Sequence, residues 1–248
     1  MKKTFFVAAT ALVLTAAGAS AQALATFTAE NIPNTTGTTV AVSTAGQPLT
    51  VGPYAAEVNN LANAGTASLT AFHSSATFAT GTTTFSTPAG QTPTATKSLS
   101  SNNWSVGDYY QFQLSNTLTT IPAASFGVSV GVLGSGTGPG SFNFQYSLDG
   151  TTYTTFATYA VTTSFVTQTF AIGSVPALYN SASAVYFRLT DASTNSITAG
   201  GTVATGGTSR FDNFSVGSTT VPEPATYAWV IGGLGALALG MRRRSSVA

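Results

Sequence analysis

Four stretches in the middle of this chain alternate apolar and polar residues with a period of two, and that period decides what the chain can fold into. In DYYQFQLSN, Tyr110, Phe112 and Leu114 fall on one side and Gln111 and Gln113 on the other. SFGVSVGVL aligns Phe126, Val128, Val130 and Val132, SFNFQYSLDG aligns Phe142, Phe144, Tyr146 and Leu148, and AVYFRLTD aligns Val185, Phe187 and Leu189. Successive side chains of a strand point to opposite faces, so each stretch predicts a strand buried on one face of an antiparallel sheet.

The connections agree. Asp149-Gly150 sits between two alternating runs and predicts a type I′ hairpin, because both central residues of that turn need positive φ. Gly134 to Gly140 and Gly200 to Gly207 read as loops between strands. Helical patterning is scarce: Tyr54, Val58 and Leu61 would line one face of a short helix ending near Gly65, and Val175 to Asn180 a turn of another. Roughly ten short strands without an internal repeat predict an all-β fold, a single antiparallel β-sandwich of jelly-roll type.

The two ends of the chain have a different character. Lys2 and Lys3 precede an apolar run from Phe5 to Ala17 and then Ala19-Ser20-Ala21, the pattern of a signal peptide removed by signal peptidase. Cleavage falls after Ala21 or, by the overlapping Ala21-Gln22-Ala23, after Ala23, so residues 1–23 bound the leader and 24–220 the exported domain. At the other end, Val221-Pro222-Glu223-Pro224 precedes an apolar run from Ala225 to Met241 and then Arg242-Arg243-Arg244. Those 17 residues make a helix of about 25 Å against a hydrocarbon core of roughly 30 Å, enough for a marginal span. The arginines would hold its end in the cytoplasm and leave the β domain outside. Ala228, Gly232, Ala236 and Gly240 give this helix a face of small residues.

Without these segments, three basic and six acidic residues remain, a formal charge of −3 where the whole chain has +1. A domain with so few cations cannot neutralise a run of phosphates, which excludes a nucleic-acid partner. Its surface has to be built from Thr, Ser, Asn, Gln and Gly. The chain has no cysteine, so an exported domain of this size must be stabilised by its core alone.

Candidate chemistry is sparse. Gly127-Val128-Ser129-Val130-Gly131 is a literal G-x-S-x-G, but a nucleophile elbow needs a helix after the serine and a histidine later in the chain. Here a glycine loop follows, and the single histidine, His73, lies upstream in a strand-like run. Glu57, Asp108, Asp149, Asp191 and Asp212 are scattered and mostly adjoin turns, where carboxylates shape the backbone. No catalytic residue is assigned, although a hydrolase would require only two of these acids at a suitable separation. Trp104, Tyr109 and Tyr153 are candidates for a sugar-stacking platform. Thr92, Thr94 and Thr96 would present hydroxyls along one strand face, an arrangement that resembles ice-binding surfaces without their fixed period.

Two resemblances extend this reading. YSLDGTTYTTF (146–156), VYFRLTDAS (185–193) and GTSRFDNFSVG (207–217), in that order, resemble the later strands of galactose-binding-like, carbohydrate-module jelly rolls. Such modules imply a sugar ligand and often a structural calcium, for which Asp191 and Asp212 are the candidate ligands; no other cofactor is expected. Residues 221–248, with Val221-Pro222-Glu223-Pro224 as motif and Arg242-Arg243-Arg244 as cytoplasmic stop, resemble the PEP-CTERM sorting signal. That resemblance implies recognition by an exosortase, a membrane cysteine protease-transpeptidase, followed by transfer to the cell surface or release. The prolines keep the motif extended and outside the helix, open to such an enzyme.

The reading as a whole is an exported, exosortase-sorted cell-surface or matrix protein, non-catalytic and associated with exopolysaccharide. The alternative is a carbohydrate-binding module with a defined sugar site, and behind it a hydrolase or an ice-binding protein.

Overall fold

The computed structural model describes residues 22–29, 49–61, 66–73, 78–81 and 98–219, all within one compact unit spanning residues 21–220. The expected leader up to residue 21, the Thr92 to Thr96 array and the terminal sorting segment lie outside the described residues. Among the described residues no helix is long and apolar enough to cross a membrane.

Thirteen described strands follow one another: β1 (Ala23–Phe27), β2 (Leu49–Ala55), β3 (Val58–Asn59), β4 (Ala67–His73), β5 (Phe78–Gly81), β6 (Ser98–Ser101), β7 (Tyr109–Leu114), β8 (Phe126–Gly134), β9 (Ser141–Ser147), β10 (Thr154–Ala160), β11 (Val166–Phe170), β12 (Val185–Asp191) and β13 (Ser209–Ser218). They form two sheets, paired antiparallel throughout. One runs β11-β8-β13-β1-β3, with β6 also on β13 and β5 on β6; the other runs β10-β9-β12-β7-β4-β2. The chain is an all-β antiparallel sandwich, as the alternation predicts.

The inward residues of β7, β8 and β12 are the predicted ones, and all of them are buried. Strand β9 follows its pattern only to Tyr146. Leu148 is 48% exposed, because β9 ends at Ser147 and the alternation stops with it. The predicted hairpin joins β9 to β10, but its loop runs from Leu148 to Tyr153, wider than a two-residue turn. The helix expected over Tyr54 to Gly65 is absent where the chain is described. Tyr54 lies in β2 opposite Leu69, and Val58 lies in β3 opposite Thr26. Pairing with β4 and β1 supplies backbone partners that a short, isolated helix would lack. Val175 to Asn180 forms hydrogen-bonded turns after a 3-10 segment at Ile172–Ser174.

Aromatic rings join the two sheets. Phe112 of β7 stacks on Phe214 of β13, with centroids 3.5 Å apart and planes within 3°. Phe144 of β9 stacks on Phe170 of β11 at 4.1 Å, and Tyr110 meets Phe211 edge-on at 4.9 Å. Such pairs contribute roughly 0.5–1.5 kcal/mol each beyond the area they bury. A polar tie accompanies them: the Tyr110 hydroxyl donates to the Ser209 carbonyl (3.1 Å) and pairs with the Ser101 hydroxyl. Burial holds the Tyr110 phenol well above its ordinary pKa, so it stays a neutral donor.

Trp104 closes one end of this core. Its ring stands edge-on to Tyr110 and Phe142, each at 5.2 Å, and its indole N–H donates to the Ser101 carbonyl at 3.0 Å. Trp104→Ala is expected to cost about 3–5 kcal/mol of stability, read as a lowered urea midpoint. A midpoint within measurement error of the parent protein would show that this packing is dispensable.

Candidate functional site

The outer face of the six-stranded sheet collects residues that the sequence leaves far apart. Strand register aligns Thr70 of β4, Gln111 of β7, Arg188 of β12, Gln145 of β9 and Thr155 of β10 in one row across five strands. Hydrogen bonds join the row in two groups, on either side of the step from Arg188 to Gln145. Arg188 Nε donates to Gln111 Oε1 (2.8 Å), Gln111 Nε2 reaches Thr70 Oγ1 (3.5 Å), and Gln145 Nε2 donates to Thr155 Oγ1 (3.1 Å). In the neighbouring row, Thr158 donates to Asn143 Oδ1 (2.6 Å), and Thr190 crosses between rows to Gln145 Oε1 (2.8 Å).

Rings stand on this polar floor. Phe72 and Tyr109 stack at 5.1 Å and 12°. The Arg188 guanidinium lies over Tyr109 at 3.7 Å and over Tyr153 at 3.5 Å, so both its faces are covered. The result is a continuous stack of Phe72, Tyr109, Arg188 and Tyr153, spanning β4, β7, β12 and the β9–β10 loop. Cation–π contact and partial desolvation make such a sandwich worth about 1–2 kcal/mol per ring. The Tyr153 hydroxyl donates to the same Gln111 Oε1 at 2.7 Å. Burial pushes this phenol up to about 12, although Arg188 pulls the other way, so Tyr153 is neutral at any physiological pH.

The β9–β10 loop sets where Tyr153 stands. Asp149 accepts hydrogen bonds from the Ser147 hydroxyl (2.8 Å) and from the N–H groups of Thr151 (2.8 Å) and Thr152 (2.7 Å). These bonds hold its exposed carboxyl well below the ordinary range. Gly150 has φ of +73°, and a Cβ there would come within 3.1–3.3 Å of the Tyr186 ring. Glycine thus permits both the turn and the close approach of that ring.

The sequence candidates separate accordingly. Tyr109 and Tyr153 come together on the outer face. Trp104 does not join them, being 6% exposed inside the sandwich. Its ring serves the core and offers no face to a ligand, a correction to the three-residue platform. Arg188, Gln111 and Phe72 belong to the face and were not singled out from sequence. The signal available for Arg188 was its outward phase in AVYFRLTD, but nothing in the sequence says that β12 inserts between β7 and β9.

The catalytic and metal candidates stay dispersed. Ser129 lies within β8, paired with Thr169 and Ser215, and no helix follows it. The first glycine of its motif has a packing reason: a Cβ on Gly127 would run into the Phe170 carbonyl and the Thr219 methyl. His73 ends β4 in the opposite sheet. Glu57 accepts from the Thr28 N–H at 2.9 Å. Asp191 and Asp212, the calcium candidates, lie on strands of different sheets, and among the described residues no group of three His, Cys, Asp or Glu is placed to hold a metal.

Asp191 has another character. It is 2% exposed, as is Asp108. Its Oδ1 accepts from the Ser193 N–H (3.3 Å), while Oδ2 has no hydrogen-bond partner among the described residues. Burial, and secondarily the Asp108 charge, raise its pKa to about 6. The folded state therefore keeps a proton that the unfolded chain releases near pH 4, and stability falls as pH rises from about 4 to about 6. Asp149, with its depressed pKa, contributes stability that is lost only below that window. Asp191→Asn should flatten the decline in melting temperature between these pH values, and an undiminished decline would assign it to another group.

Comparisons with known proteins bear on the two parts of the chain separately. No curated protein matches it. Among solved structures, the CBM22-1-GH10 modules of xylanase 10B from Clostridium thermocellum, complexed with xylohexaose, share 15% identity over 51% of this chain and 22% of that one (TM-score 0.31). The family 11 carbohydrate-binding module of cellulase Lic26A-Cel5E from Clostridium thermocellum shares 9% identity over 62% of this chain and 88% of that one (TM-score 0.33). The CBM22-1-CBM22-2 tandem of Xyn10C from Paenibacillus barcinonensis shares 14% over 84% and 48% (TM-score 0.34). The chain thus spans about a fifth of the first of these and about half of the last. At the other end, residues 220–244 match the PEP-CTERM protein-sorting motif, which implies export and a C-terminal membrane anchor that an exosortase then cleaves.

Proposed function

We propose that this protein is exported, sorted to the cell surface or extracellular matrix through its C-terminal motif, and retained there by polysaccharide bound on the outer face of its six-stranded sheet, without catalysing a reaction. The observation that supports it is that face: a stack of rings on a floor of amide and hydroxyl groups. Sugars present this chemistry in complement, with apolar C–H faces that lie on rings and hydroxyls that exchange hydrogen bonds with amides. A defined row of this kind favours the more specific form of the reading, a carbohydrate-binding module with a fixed site.

The pairing of β1 supports one of the two cleavage sites for the leader. Ala23 pairs with Gly217, and its carbonyl accepts from Asn60 Nδ2 at 3.0 Å. The Gln22 carbonyl accepts from the Ser218 N–H at 2.9 Å. Cleavage by signal peptidase after Ala23 would discard both acceptors, whereas cleavage after Ala21 keeps them. The intact mass of the protein recovered from cells is expected to correspond to a chain starting at Gln22 and ending near the Val221-Pro222-Glu223-Pro224 motif. A start at Leu24, or an end at Ala248 in cells with an active exosortase, would contradict the respective part.

For the sugar site, Tyr153→Ala is the direct test. In affinity electrophoresis through the producer's own exopolysaccharide, the parent protein should be retarded and the variant should lose about tenfold in affinity, with an unchanged far-ultraviolet circular dichroism spectrum. Equal retardation of both would remove the face from the account.

A further inference from the structure

The geometry points to a carboxylate-bearing sugar, a uronate, as the residue this face selects, with Arg188 as its anion-binding group. This rests on the reading of the face as a glycan site and specifies its ligand.

Among the described outward positions of the six-stranded sheet, Arg188 is the one charged residue. It forms no ion pair among the described residues: its hydrogen bond runs to Gln111, and Asp149 of the β9–β10 loop accepts through Oδ1 from the Ser147 hydroxyl and the Thr151 and Thr152 N–H groups. A guanidinium has five N–H donors in one plane. Here both faces of that plane are closed by Tyr109 and Tyr153, and Nε is committed to Gln111. What remains is the in-plane edge formed by the two Nη groups, which donate to no described residue. The side chain is half-buried, so this edge is partly stripped of water and still reaches solvent. A planar carboxylate meets such an edge with two parallel hydrogen bonds, stronger than neutral ones, while a sugar hydroxyl meets it with one.

The placement of Tyr153 narrows the ligand further. Its hydroxyl and Arg188 Nε converge on one atom, Gln111 Oε1, at 2.7 and 2.8 Å. The guanidinium lies 3.5 Å from the Tyr153 ring, so a sugar stacked on the far side of that ring is about 7 Å from the guanidinium plane. A polyuronate repeats its carboxylates along the chain, so one sugar ring stacks on Tyr153 while an adjoining residue brings its carboxylate to the Nη edge. The exported domain's formal charge of −3 would otherwise repel a polyanion weakly at long range, which makes this single cation the decisive contact.

The test uses the protein recovered from cells and three uronate polymers, polygalacturonate, alginate and hyaluronate, each also in a carboxyl-reduced, neutral form. For at least one polymer, the acidic form should bind about tenfold more tightly than its reduced form. Arg188→Gln should abolish that difference, and Arg188→Lys should restore only part of it, because an ammonium lacks the planar fork. If no polymer outbinds its own reduced form, the uronate inference is overturned. If reduced and acidic forms bind equally well, the glycan face itself stands. If neither form binds, and the producer's own exopolysaccharide does not bind, the face reading falls with it. The comparison on the unsubstituted protein holds even if the variants fold poorly.

Discussion

The stacking of Phe112 on Phe214 ties the two sheets together at the centre, and the remaining structure depends on that tie. A chain without cysteine has no disulfide, and its few charges supply little material for ion-pair networks with which to hold a sandwich closed. It uses rings instead. Phe112 contacts Phe214, Phe211 and Phe27 of the opposing sheet, and Phe144 contacts Phe170. Strand β13 takes the largest share of this packing, carrying Phe211, Phe214 and Val216 inward while pairing with β8 along one side and with β6 and β1 along the other.

Because the inner faces are filled by rings, the period of two forces their strand neighbours outward. Tyr110, Phe112 and Leu114 point in, so Tyr109, Gln111 and Gln113 point out. Val185, Phe187 and Leu189 point in, so Tyr186, Arg188 and Thr190 point out. The candidate site is thus the reverse side of the core, fixed by the same alternation. Its rigidity has the same origin: a guanidinium clamped between Tyr109 and Tyr153 keeps its donors aimed without spending ligand-binding energy on ordering them.

This relation also explains how much the sequence revealed. The inward sets of β7, β8 and β12, the all-β class and the outward phase of Tyr109 follow from local alternation, and no knowledge of strand order is needed to read them. The meeting of Arg188 with Tyr109 and Tyr153 depends on order: β12 lies between β7 and β9, a non-local arrangement that leaves no local trace. Trp104 shows the converse error. A candidate for the sugar platform, it turns inward instead, and the indole finds a carbonyl at Ser101. Tyr54 and Val58 have helical spacing, but backbone partners on β4 and β1 outweigh it. The sorting motif, in contrast, is recognised by composition and order within a short segment, which is why it could be read directly.

A footprint tests the central claim most directly. Hydrogen–deuterium exchange of the protein recovered from cells, with and without the producer's exopolysaccharide, should show protection concentrated in Tyr109–Leu114, Val185–Asp191 and the loop from Leu148 to Tyr153, three segments that meet on the outer face of the six-stranded sheet. Protection confined to the seven-stranded sheet, or none at saturating polysaccharide, would contradict the account.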